Sequence, residues 1–201
     1  MRVAPVGLAY FTDLKTAATV AQESSRPTHS HPRAYQGAVL QCLAVAIATS
    51  LSEFSLEAFL QPMRESLAWF SDLMWDISKF ASALDAIEQG LQDGTSCLEM
   101  SSVLGTGIVA HEAVPMALYC FLRHPQSYAQ VLHEAIFVGG DTDTIACMAG
   151  AISGAFLGSA AIPANWLAAF RDEDYPIAAI QALADRLFDR YAEPKMRNDT
   201  L

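Results

Sequence analysis

Apolar residues recur every three to four positions along most of this chain, and this period limits the fold more than any other feature. Helices with this spacing have one apolar face, which they bury against other helices. The pattern predicts helices over residues 34–51, 77–91, 108–122, 144–158 and 177–191. The sustained alternation typical of strands is missing, and residues 135–138 are the only β-rich tetrad. We therefore predict an all-α, compact multi-helix domain over residues 1–192, with a disordered tail over residues 193–201.

The composition of the chain excludes several classes of protein. Hydrophobic residues make up 52% of the 201 residues and charged residues 17%, which excludes an intrinsically disordered chain. The formal charge is −10 and Lys and Arg form no cluster, so we expect no nucleic-acid-binding surface. An acidic chain that binds an anionic ligand would need a metal ion or helix N-termini.

Residues 145–163 form the longest apolar run, near the length that spans a bilayer. Gly150, Gly154 and Gly158 interrupt it at a four-residue spacing that places them on one helical face. We therefore predict a core helix and no membrane span, with glycines that admit either a neighbouring backbone or a ligand. Residues 1–8 lack a secretory pattern and the cysteines form no CxxC pair, so we expect buried free thiols and a cytoplasmic location.

The segment 139–144, GGDTDT, places two carboxylates and two hydroxyls where a helix begins. Oxygen ligands of this kind suit Mg²⁺ or Ca²⁺, and the paired glycines allow the sharp turn that such a cluster requires. The alternative is that Asp143 or Thr144 serves only as a helix N-cap, with Asp141 complementing the helix dipole. The pattern favours a metal site.

Two other polar motifs carry weaker signals. His29 and His31 form a His-x-His pair, but no third zinc ligand follows at suitable spacing. The segment 105–107, Gly-Thr-Gly, precedes a predicted helix, and its N–H groups could contact a phosphate or a ribose. The HExxH, GxSxG, P-loop and GxGxxG motifs do not occur, so nothing indicates the enzyme classes that these motifs define.

Four segments, taken in order, resemble the ADP-ribosylglycohydrolase (dinitrogenase reductase-activating glycohydrolase-like) family: residues 1–7, 28–32, 104–119 and 139–151. The stretch 117–123, ALYCFLR, is most similar to the branch that removes ADP-ribose from serine and degrades poly(ADP-ribose). The resemblance implies an all-α fold with a binuclear Mg²⁺ (or Mn²⁺) centre, which engages the ribose next to the scissile glycosidic bond. It implies metal-dependent hydrolysis of the N- or O-glycosidic bond of ADP-ribose on modified proteins or ADP-ribose derivatives.

The resemblance also implies roles for individual residues. It assigns three metal ligands: Asp141, Asp143 and Thr144. It assigns five contacts to ADP-ribose: His29, Gly105, Thr106, Gly107 and Ile108. Thr106 stands where near relatives carry Asn.

Family members begin upstream of Met1, and their upstream part holds a Thr-Asp-Asp metal motif and an acidic catalytic residue. Nothing in residues 1–140 replaces these groups, so we assign no catalytic residue in this chain. We therefore expect a C-terminal portion of the family domain, whose exposed apolar surface would promote association. Two alternatives to an enzyme remain: a truncated, catalytically inactive ADP-ribose-binding or interaction module, and a helical bundle whose acidic motif is only a cap.

Overall fold

The computed structural model describes residues 1–69 and 76–191. Within these two ranges it contains eleven α-helices and no strand, so the all-α prediction is confirmed. The helices are α1 (Ala4–Ala9), α2 (Leu14–Ser25), α3 (Pro32–Ser50), α4 (Leu56–Leu67), α5 (Ser78–Gln92), α6 (Cys97–Leu104), α7 (Ala110–Arg123), α8 (Tyr128–Phe137), α9 (Thr142–Leu157), α10 (Ala164–Ala169) and α11 (Ile177–Tyr191). The predicted tail, residues 193–201, lies outside the described residues, and the domain limit at residue 192 stays a prediction.

All five helices predicted from the apolar period are present as α3, α5, α7, α9 and α11. The β-rich tetrad, residues 135–138, forms the end of α8 instead of a strand. Two local features explain this difference. The side chain of Ser127 accepts a hydrogen bond from the Gln130 N–H at the start of α8, and Val131 and Ala135, four residues apart, are both buried on one face.

The centre of the fold is formed by α3, α7 and α9, which pack against one another. Twelve of the nineteen residues of α3 are buried, because α1, α2 and α4 cover its remaining sides. Pro115 lies inside α7 in a run of ten buried residues and does not begin the helix. An aromatic cluster closes one end of the core, where the rings of Phe54, Phe59 and Phe156 lie 5.4–6.1 Å from the Phe121 ring.

The glycines of α9 serve two different purposes. A Cβ at Gly150 would lie 3.1 Å from Leu132 Cδ2, so this glycine allows close packing of α9 on α8. Gly158 ends the helix with a φ of +77°, which favours glycine. Close packing thus accounts for Gly150, whereas Gly158 is a helix cap. No helix within the described ranges has both the length and the apolar character that crossing a membrane requires.

One cysteine does not follow the sequence prediction. Cys42, Cys97 and Cys120 are buried free thiols as expected, but Cys147 is exposed. The reason is its register on α9: Cys147 follows Asp143 by four residues, and both lie on the exposed face of that helix.

The two C-terminal helices, α10 and α11, contain no buried residue. Several of their large apolar side chains are exposed: Trp166, Ile180, Leu183 and Phe188. The helix α11 packs on α1, where the rings of Tyr10 and Tyr191 lie 5.3 Å apart. The association predicted from the sequence stays a prediction.

Candidate functional site

A cavity of about 500 Å³ lies where the first turns of α3, α7 and α9 meet the residues that precede α1. Its wall carries side chains that can donate hydrogen bonds or ligate a cation, among them Arg2, His29, His31, Arg33, His111, Asp141 and Thr144. A cavity of this size is typical of small-molecule sites. The cavity is therefore the candidate functional site.

The structure brings together five of the residues singled out from the sequence: His29, His31, Ile108, Asp141 and Thr144. The other four do not belong to the cavity wall: Gly105, Thr106, Gly107 and Asp143. Asp143 lies on the exposed face of α9, although it directly precedes Thr144 in the sequence. Its role as a metal ligand stays a prediction.

The first turn of α9 presents oxygen donors to the cavity. Asp141 is the N-cap residue, but its carboxylate accepts no hydrogen bond from the helix N–H groups. Thr144 follows three residues later, on the same side of the helix. The N-cap position of α9 is thus held by Asp141 and not by Asp143 or Thr144. The Asp141 side chain makes no capping hydrogen bond there.

This donor set can be compared with what Mg²⁺ prefers. A carboxylate and a hydroxyl that share a cavity wall are oxygen donors of the right class, so Asp141 and Thr144 fit a hard cation. Within the described part of the chain, no group of three or more His, Cys, Asp and Glu side chains could hold a metal ion. Asp141 and Thr144 therefore supply only part of a six-oxygen shell.

A tight turn positions Asp141. Gly139 and Gly140 adopt φ values of +77° and +73°, in the region that favours glycine. A Cβ at Gly140 would lie 2.2 Å from the carbonyl oxygen of Thr106, and the Asp141 N–H donates to that oxygen at 2.7 Å. The segment 105–107 therefore supports Asp141 from behind.

Glu112 holds that supporting segment in place. Its Oε2 accepts a hydrogen bond from the Gly107 N–H at 2.9 Å, and a Cβ at Gly105 would lie 2.6 Å from its carboxyl carbon. The Gly105 N–H donates to the carbonyl oxygen of Ser101. Two N–H groups that we expected to contact a phosphate or ribose are thus bonded within the protein. The sequence signal for Glu112 was only a carboxylate in the first turn of the helix that follows the glycines.

Sequence reasoning also missed the cationic groups of the cavity. Arg2, Arg33 and His111 come from three separate segments, and no pattern in the sequence joins them. Burial, followed by the positive charge of Arg33, lowers the pKa of His111 below its usual value. The imidazole of His111 is therefore mostly neutral at pH 7, whereas Arg2 and Arg33 stay charged.

Gln41 connects two of the helices that form the cavity. Its side chain is buried in the wall, and its Nε2 donates to the carbonyl oxygen of Met148 on α9 at 3.1 Å. This bond joins α3 to α9 one helical turn beyond Thr144. It holds the donors of α9 at a set position relative to α3.

Comparisons with known proteins point to one family. The model of the ADP-ribosylglycohydrolase family matches residues 1–196. ADP-ribosylhydrolase ARH3 of Mus musculus is 40% identical over 186 residues, which cover 83% of this chain and 50% of the relative. The Homo sapiens ARH3 is 38% identical over 193 residues, covering 83% of this chain and 51% of the relative.

An uncharacterized protein of Archaeoglobus fulgidus is 32% identical over 189 residues, which cover 94% of this chain and 56% of that protein. The chain thus spans about half the length of the curated relatives that it matches. The family model, in contrast, extends over nearly all of the chain. This chain belongs to the ADP-ribosylglycohydrolase family.

Proposed function

We propose that this chain binds ADP-ribose in the cavity and serves the metal-dependent hydrolysis of N- or O-glycosidic bonds of ADP-ribose on modified proteins or ADP-ribose derivatives. The observation that carries the proposal is the meeting of Asp141 and Thr144 with His29 on one cavity wall. His29 lies far from Asp141 and Thr144 in the sequence, and all three belong to motifs that resemble the ADP-ribosylglycohydrolase family. Family membership supports hydrolysis of ADP-ribosyl bonds as the reaction class.

The charges around the cavity support an anionic ligand. The chain as a whole carries a formal charge of −10, yet Arg2 and Arg33 both line this cavity. A diphosphate would find two guanidinium groups there, and guanidinium groups are suited to phosphate oxygens. His29 and the neutral His111 add ring N–H groups that can donate to the same ligand.

Asp141 and Thr144 are the residues that would hold Mg²⁺, with Asp143 as the third ligand implied by the family motif. A bound Mg²⁺ would supply Lewis-acid polarisation of ribose oxygens and of an attacking water. The residues of this chain would orient the ribose and bind the diphosphate. We assign no catalytic acid or base among the described residues.

An ADP-ribose-binding module without catalysis is the second candidate. It is favoured by the small number of carboxylates at the site, since only Asp141 lies on the cavity wall among Asp and Glu residues of the described chain. The four free cysteines agree with a reducing compartment, and we propose a cytoplasmic location.

Thermal melts of the 201-residue chain with Mg²⁺ and ADP-ribose test binding. We expect both ligands together to raise the melting temperature of the wild type, and Asp141→Asn to abolish the rise. The matched control is Asp185→Asn on the exposed face of α11, which should respond like the wild type. A wild-type melting temperature that the two ligands do not change would refute the proposal.

Release of ADP-ribose from an ADP-ribosylserine peptide then separates the two candidates. Multiple turnover that EDTA abolishes supports the enzyme, whereas binding without turnover supports the module. Turnover that survives both EDTA and Asp141→Asn would contradict the metal-dependent reaction.

A further inference from the structure

We propose that Thr28 is a positioning residue that acts through His29. In this proposal, Arg2 and Thr28 hold the imidazole of His29 so that its Nε2–H is available to an acceptor oxygen of the ligand. The inference deepens the proposed function and rests on it, because the ligand is taken to be ADP-ribose.

A chain of short contacts joins the three side chains. Arg2 donates from Nη2 to Thr28 Oγ1 at 2.7 Å and to the carbonyl oxygen of Ser24 at 2.8 Å. Thr28 Oγ1 lies 2.8 Å from Nδ1 of His29. Thr28 thus stands between a permanent cation and the ring.

The protons of this chain of contacts can be counted. A guanidinium group only donates, so Arg2 occupies one lone pair of Thr28 Oγ1. The single hydroxyl proton of Thr28 can then be directed to His29 Nδ1 at 2.8 Å or to the carbonyl oxygen of Ser25 at 3.3 Å. The shorter distance favours Nδ1 as the acceptor. A neutral ring whose Nδ1 accepts a hydrogen bond carries its proton on Nε2.

The main chain of His29 is held as well. Its carbonyl oxygen accepts a hydrogen bond from the Tyr35 hydroxyl at 2.7 Å, and its N–H donates to the carbonyl oxygen of Ser25 at 3.0 Å. Side chain and main chain are therefore both constrained, although His29 lies in an exposed loop before α3. Such support lowers the entropy that the ring would lose when a ligand binds.

The position of each residue separates its role from that of its neighbours. Arg2 and His29 belong to the cavity wall, but Thr28 does not. An effect of Thr28 on ligand binding must therefore pass through one of the three groups that its hydroxyl contacts, which are Arg2, His29 and the carbonyl oxygen of Ser25. His29 is the one that receives the hydroxyl proton.

A double-mutant cycle on the 201-residue chain tests this coupling, with ADP-ribose affinity measured by calorimetry in the presence of Mg²⁺. Because a single neutral hydrogen bond is at stake, we expect Thr28→Val to weaken binding about five- to tenfold. Thr28→Ser, which keeps the hydroxyl, should restore affinity to near that of the wild type. In a His29→Ala background, Thr28→Val should have less than about a twofold effect, because its target is gone.

The control is Thr19→Val on α2, an exposed threonine whose hydroxyl donates to the carbonyl oxygen of Lys15 at 3.0 Å. It should leave affinity unchanged. Nitrogen NMR of the ligand-free chain adds a second readout, and we expect the Nδ1 of His29 to be unprotonated when the ring is neutral.

Failure of the role of Thr28 can be distinguished from failure of the proposed function. If the wild type binds and Thr28→Val binds equally well, or if its loss persists in the His29→Ala background, the role of Thr28 is wrong and the proposed function stands. A protonated Nδ1 in the neutral ring overturns the same role without any ligand. If the wild type does not bind ADP-ribose, the proposed function fails, and this role fails with it.

Discussion

The tight contact between the turn before α9 and the segment behind it gives the sharpest test of the site. We consider Gly140→Ala. The new Cβ would lie 2.2 Å from the carbonyl oxygen of Thr106, and the residue would keep a φ of +73°. The Asp141 N–H that bonds to this same oxygen at 2.7 Å would have to move away.

The expected cost is the sum of three effects. An alanine at positive φ costs about 1–2 kcal/mol, part of which is offset by the lower entropy of the unfolded chain. Relief of the contact with a backbone atom costs about 1–3 kcal/mol. Loss of the hydrogen bond between Asp141 and Thr106 costs about 0.5–1.5 kcal/mol. We therefore expect Gly140→Ala to lower the free energy of unfolding by about 2.5–5.5 kcal/mol.

The neighbouring glycine supplies a matched control. Gly139 has a φ of +77°, but no described residue lies within 4 Å of a Cβ built there. Gly139→Ala thus has the backbone strain without the contact, and should cost about 1 kcal/mol.

Thermal melts of both variants measure the difference. For a chain of this length, each kcal/mol lowers the melting temperature by about 2–4 °C. Because the two variants differ by about 1.5–4.5 kcal/mol, Gly140→Ala should melt at least about 3 °C below Gly139→Ala. Equal melting temperatures would show that the contact with Thr106 does not constrain the turn.

Three further predictions concern individual side chains. Glu112→Ala should lower the free energy of unfolding by about 1.5–3 kcal/mol, because it leaves the Gly107 N–H without its acceptor. Glu112→Gln should lower it by less, because an amide oxygen still accepts that hydrogen bond. Equal losses of the two variants in urea titrations would contradict this order. Burial, and then the charge of Arg33, lowers the pKa of His111. As the pH drops below 6.5, the unfolded state therefore takes up the His111 proton before the folded state does, and the stability of the fold decreases. His111→Gln should flatten that decrease in thermal melts from pH 7 to pH 5, and an unchanged slope would refute this prediction. Ellman's reagent should modify one thiol rapidly in the native chain and none in Cys147→Ser, whereas two or more fast thiols would contradict the burial of the other cysteines.

Helix content was predictable because the apolar period is a local property of the chain. The helices α3 and α7 are so apolar that they could be predicted without knowing what they pack against.

The metal motif was predictable as a set of oxygen donors, but its geometry was not. Because the helix α9 begins at Thr142, two residues earlier than predicted, Asp143 and Thr144 are successive helical residues about 100° apart. Of these two successive residues, only Thr144 therefore lies on the cavity wall.

The role of the glycine-rich segment 105–107 could not be read from its own residues. Glycines with free N–H groups suggest a phosphate-binding loop, and the sequence contains no sign that Glu112 turns back to bond with Gly107. The approach of Gly140 to Thr106 joins positions 34 residues apart, and no local pattern encodes such a distance.

The sequence by itself determined the all-α class, the five helices with a strong apolar period, and the family to which the chain belongs. These follow from residue order, because periodicity and motifs are written along the chain. The tertiary structure alone decided that Arg2, Arg33 and His111 share a cavity with Asp141, and that the segment 105–107 supports this cavity from behind. The physical reason is that a site forms where separate helix ends meet, and the meeting is set by packing of α3, α7 and α9 across the core, which no single segment specifies.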